Sequence, residues 1–150
     1  MKRIPALFCA AVFLAGCGGR SDAAGEVVPI DRICAYEKWK TVAVEGYLAS
    51  IPTACKRGKN RRGRELGILW CHFNVYAERT LTGPSLSVEI PTMTWYGARN
   101  NTVENPLGLM RLYDNDANPT PPGSRIRVFG TLPKSDRCQF GLVERIDRIS

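Results

Sequence analysis

Five stretches of this chain alternate apolar and polar residues with a period of two, and that alternation limits the fold more than any other feature. Within residues 41–51, Val42, Val44 and Leu48 share a face. Leu69, Cys71, Phe73 and Val75 do so within 67–77, and Leu86, Val88 and Ile90 within 85–90. Residues 125–132 repeat the pattern with Ile126, Val128 and Leu132. The last stretch, 138–149, carries Phe140 and Leu142 and then shifts phase to Val143 and Ile146, as a β-bulge does. Helical signals are short. Residues 31–40 suit one or two turns with Asp31 as N-cap, and 106–113 begin with Pro106 at the first helical position. The expectation is an all-β or β-dominated domain. A length of 150 residues supports one such domain with a real core. Apolar residues at 44% and charged residues at 23% exclude wholesale disorder and a polytopic membrane protein.

The N-terminus reads as an export signal. Lys2 and Arg3 precede an uncharged apolar run, residues 4–16, too short to span a bilayer as a helix. The run ends in Leu14-Ala15-Gly16-Cys17, which resembles the lipobox of bacterial lipoproteins. That resemblance implies a signal peptide over 1–16, diacylglycerol on the Cys17 sulfur and attachment to the cell envelope through acyl chains. An ordinary secretory signal with an incidental Cys17 is the rival. Gly18, where the lipoprotein family uses Asp to retain proteins at the inner membrane, implies the outer membrane facing the periplasm. Residues 17–29 are expected to be a flexible tether rich in small residues, and 30–150 the folded domain.

With Cys9 in the signal and Cys17 lipidated, Cys34, Cys55, Cys71 and Cys138 remain. An even number in an exported domain reads as two disulfides, with three connectivities open. A metal site would need short Cys/His spacings, and these four stand 16 or more positions apart. His72 adjoins Cys71, but neighbours on a strand face opposite sides. No metal or other cofactor is expected.

The strand layout resembles the OB-fold, a small five-stranded barrel, over residues 41–149. Val44-Glu45-Gly46-Tyr47-Leu48 carries the resemblance in the first strand, and the ten residues from Gly123 to Leu132 carry it in the fourth. A small β-sandwich or another barrel shares the same alternation. The resemblance implies that Gly46 lets the first strand bend and that a short helix lies between the third and fourth strands. It also implies that the fourth strand's end lies near the first strand's start, which pairs Cys34 with Cys138. Cys55 follows the first strand and Cys71 lies within the second, so a bond between them is expected to staple the base of the basic segment that joins these strands.

Charge is concentrated in residues 56–64, where Lys56, Arg57, Lys59, Arg61, Arg62 and Arg64 occur without an acid. After removal of the signal the chain holds 19 basic and 14 acidic residues, and setting these six aside leaves 13 against 14. The protein is therefore nearly neutral with one basic loop, which joins the first two strands. In OB-folds that loop flanks the ligand face. Trp70, His72 and Tyr76 are expected outward on the second strand, together with Ile68 and Asn74; Arg125, Arg127 and Phe129 would extend the surface on the fourth. Aromatic groups beside cations suit a polyanion with stacking bases or sugars, such as a nucleic acid or a glycan. Contact with anionic headgroups or lipopolysaccharide and a merely solvated loop are the competing readings.

Catalysis finds little footing. His72 is the sole His, and the chain lacks Gly-x-Ser-x-Gly, a phosphate-binding Gly-rich loop and His-Glu-x-x-His. The run 114–118 starts like a calcium loop, but Pro119 stands at the turn Gly and Arg125 where the bidentate Glu belongs, so an Asx-rich turn is expected. The reading is a binding module for an anionic ligand and not an enzyme. Its alternative is a structural envelope component that meets protein partners through residues 91–124.

Overall fold

The computed structural model describes residues 23–36, 39–50, 55–91, 103–104, 111–132, 139–140 and 142–150. Residues 1–16, read above as a signal peptide, Cys17, the expected lipidation site, and Cys138 lie outside them. In chain order the strands are β1 (Glu26–Val27), β2 (Thr41–Leu48), β3 (Lys56–Lys59), β4 (Glu65–Tyr76) and β5 (Ser85–Pro91). Then come β6 (Val103–Glu104), β7 (Arg111–Leu112), β8 (Arg125–Thr131), β9 (Gln139–Phe140) and β10 (Leu142–Arg148). A 3-10 turn covers Ile33–Ala35. The β-dominated expectation holds.

The main sheet runs β10–β8–β2–β4–β5–β9, with β1 added to β2 and β3 to β4. It is mixed: β1–β2 and β5–β9 are parallel, the other pairs antiparallel. β9 and β10 occupy the two ends of that order, yet residue 141 alone separates them on the chain. β6 and β7 form a separate two-stranded sheet.

The alternating residues build the core. Val42, Val44 and Leu48 of β2, Cys71, Phe73 and Val75 of β4, and Leu86, Val88 and Ile90 of β5 are all buried. Ile126 and Val128 of β8, Leu132 beyond it, and Phe140, Val143 and Ile146 belong to the same cluster, with Val28, Ile30 and Ile33 from before β2. Two neighbours share one edge of β2. β1 pairs at Val42 and Ala43, and β4 pairs at Tyr47 and Leu48. Gly46 sits where these two meet. A Cβ there would lie 2.4 Å from the Tyr76 carbonyl oxygen, so the close approach of β4 requires glycine.

Several expectations are corrected. Residues 26–29 are not tether, because β1 uses the free edge of β2 and Val28 packs into the core. The N-cap of the short turn is Arg32 rather than Asp31, and no side chain caps it. The end of the proposed 106–113 helix is extended instead: Arg111 and Leu112 pair with Glu104 and Val103, and Tyr113 bridges to Pro119. Residues 106–110 lie outside the described residues. Leu142 is 47% exposed while Phe140 and Val143 are buried, so Leu142 does not share the face of Phe140, and a register shift falls between Val143 and Arg145.

Candidate functional site

The basic segment is a β-hairpin arm and not a loop. β3 pairs with the start of β4, setting Lys56 opposite Trp70, Arg57 opposite Leu69 and Lys59 opposite Glu65. No apolar alternation would make residues 56–59 a strand; of the four, Gly58 alone is buried. Two local devices hold the arm. At its base Cys55 and Cys71 form a disulfide, with Cα atoms 4.3 Å apart. At its tip the Asn60 side-chain oxygen accepts hydrogen bonds from the backbone N–H groups of Arg62 (2.9 Å) and Arg64 (3.0 Å). Gly63, with φ of 74°, closes the turn by donating its N–H to the Asn60 carbonyl. The pairing of Cys55 with Cys71 agrees with the expectation. Cys34 is disulfide-bonded as well, and its expected partner Cys138 lies outside the described residues.

All six cations of the arm are exposed. Arg57 meets Glu65 at 3.1 Å, with both side chains more than half exposed. Such a pair contributes little, because water screens it. Among the described residues, Lys56, Lys59, Arg61, Arg62 and Arg64 make no side-chain hydrogen bond or ion pair. Their charge is therefore not offset locally, and like charges so close together raise the potential around the arm.

The outer face of β4 continues from the arm's base. Trp70 is half-buried beside Lys56. His72 comes next on that face, and its Nε2 lies 3.4 Å from Glu89 Oε1 on β5. Gln139 Nε2 donates to the other Glu89 oxygen at 3.2 Å. Tyr76 lies six residues beyond Trp70, about 20 Å along the strand, and is paired with Tyr47 of β2. The structure thus brings Trp70 and His72 to the arm and leaves Tyr76 at the far end of β4. The side chain of Ile68 is outside what is described.

The proposed extension onto β8 is corrected. Glu45 lies between two cations there, accepting from Arg125 Nη2 at 3.0 Å and from Arg127 Nε at 2.9 Å. Phe129 is 6% exposed, with the Arg145 guanidinium 5.1 Å from its ring centre. These groups hold neighbouring strands together.

The calcium-like run is an Asx turn, as expected. Asp114 is buried, and its Oδ1 accepts from the backbone N–H groups of Asp116 and Asn118 at 3.0 and 2.8 Å. Its carboxylate is thus occupied by its own turn. Among the described residues no three His, Cys, Asp or Glu side chains are grouped to hold a metal ion. Sequence reading missed Asn60, Glu65 and Glu89. An Asn-x-x-Gly turn signal was present at Asn60–Gly63, but the two acids become visible only through strand register. No protein-family model and no curated protein matches the chain.

Proposed function

We propose that this chain is a cell-envelope lipoprotein, anchored by lipid on Cys17 in the outer membrane and facing the periplasm, and that it binds an anionic ligand through its basic arm. Trp70 and His72 flank the arm on an OB-like closed barrel. Strand order supports the closure: β2, β4, β5, β8 and the β9–β10 segment follow the OB arrangement, with β2 antiparallel to β8 and β5 parallel to β9. A continuous β9–β10 segment would then join the two ends of the sheet.

The observation that carries the function is the arm itself. Five cations without a carboxylate partner among the described residues project on a hairpin braced at both ends. Such bracing reduces the ordering cost of binding. The test replaces Lys56, Arg57, Lys59, Arg61, Arg62 and Arg64 with Ser in the full chain and measures retention on heparin and on vesicles containing lipid A. The native chain should bind both and elute with rising salt, since screening weakens exposed charge interactions. The variant should lose that binding. Retention unchanged by the six substitutions would overturn the reading. Globomycin treatment in the host checks the anchor: the uncleaved precursor should accumulate.

A further inference from the structure

Among the described residues the large exposed hydrophobic side chains are Val27, Leu142 and Trp39, at 47%, 47% and 67%. Strand register gathers them at one end of the main sheet. Leu142 pairs with Thr131, and Thr131 pairs with Thr41. Trp39 precedes Thr41 by two residues and donates its N–H to the Leu132 carbonyl at 3.0 Å. On the other side of β2, Val27 pairs with Ala43. The run Leu142–Thr131–Thr41–β1 crosses three strand spacings, about 14 Å. Three apolar groups thus border one rim, and Trp39 stands out from it.

The N-terminal segment leaves the domain at the same rim. Gly25 lies against Thr41, where an added Cβ would come within 2.7 Å of the Thr41 carbonyl oxygen. Ala23 accepts a hydrogen bond from Arg145 Nη1 at 3.4 Å. From Ala23 back to Cys17 is six residues, which span at most about 21 Å even when fully extended. Lipid on Cys17 would therefore keep this rim within about 20 Å of the headgroups.

We propose that the rim formed by Trp39, Leu142 and Val27 rests on the membrane surface, with Trp39 inserted at headgroup level. This rests on the lipoprotein reading. Trp suits the role because its ring is apolar while its indole N–H still finds polar partners at the interface. Val27 and Leu142 would lose water on the same contact, and the lipid anchor makes the contact intramolecular. The tether and the rim then fix which side of the domain faces outward.

The experiment uses the full chain purified from its native envelope and reconstituted into phosphatidylglycerol–phosphatidylcholine vesicles, with and without bromine on the acyl chains. Bromine quenches tryptophans that reach the bilayer. Intact mass of the purified protein is recorded first. The acylated chain should show quenching that is mostly lost in Trp39→Phe, and Trp70→Phe should retain it. Quenching that survives Trp39→Phe, or that is absent from the acylated chain, overturns the rim contact and leaves the anchor standing. A mass without acyl chains overturns the anchor, and the rim proposal falls with it. Circular dichroism of Trp39→Phe should match the native chain, because the side chain it alters is exposed.

Discussion

Arginine plays opposite parts on the two halves of this sheet. Across β2, β8 and β10, Arg125 and Arg127 share Glu45, while Arg145 covers Phe129 and bonds to Asp147 at 2.8 Å. On the β3–β4 arm, cations of the same kind stand out in water, with Glu65 facing Arg57. The first half uses charge to tie strands together, and its acids sit in register with its bases. The second is a brace that holds charge away from the core. Composition does not separate the two; the register of opposing acids does.

The largest expected effect lies in the core that both halves share. Phe140 is fully buried, and its ring lies against Gly130 of β8. Phe140→Ala should cost about 3–5 kcal/mol through lost burial and the cavity left behind. Urea denaturation checks this. A loss below 1 kcal/mol would mean that the β9–β10 segment contributes little to the core.

Next comes the staple of the arm. Cys55 and Cys71 are 16 residues apart, and in the chain-entropy model a loop of that size contributes about 3 kcal/mol. The double variant Cys55→Ala/Cys71→Ala should lose about that much and become sensitive to trypsin within residues 56–64. Unchanged trypsin resistance would show that the Asn60 turn and the β3–β4 pairing suffice, and the two halves would then differ less in rigidity than in charge.

The same contrast explains which parts of the fold and site are legible in the amino-acid sequence. Alternation exposes the core strands because Leu69, Cys71, Phe73 and Val75 must share one face. β3 carries no such pattern, since its pairing comes from a disulfide, a turn and the edge of β4. β1 escapes notice because two residues show no period, and the free edge of β2 that captures them is a tertiary fact. The helical reading of 106–113 fails at Arg111 and Leu112 because pairing with Val103 and Glu104 outweighs local propensity. The cations of the arm are legible as a cluster. That Arg125 and Arg127 are not part of the same surface depends on Glu45 lying 80 residues away along the chain.

A smaller effect tests the tying role directly. Glu45→Gln removes the charge between Arg125 and Arg127 while keeping the side chain's shape. Both arginines are more than a third exposed, so the loss should be about 1 kcal/mol at low ionic strength. It should shrink in 1 M NaCl, where the Debye length falls to about 3 Å. A loss that does not change with salt would assign the contribution of Glu45 to packing rather than charge.

The smallest effect on stability belongs to the arm and carries the most information about it. Glu65 faces Arg57 across the hairpin, with both side chains more than half exposed. Glu65→Gln should change stability by no more than about 0.5 kcal/mol, as exposed pairs do. It also frees Arg57 and raises the arm's net charge by one. If the arm holds anions by charge, the variant should bind heparin a few-fold more tightly at low salt and weaken more steeply as salt rises. A tighter complex from a substitution that leaves stability alone would separate the arm's two properties, its bracing and its charge. Equal or weaker binding would mean that Glu65 positions Arg57 for the ligand, so that the arm's geometry matters more than its summed charge.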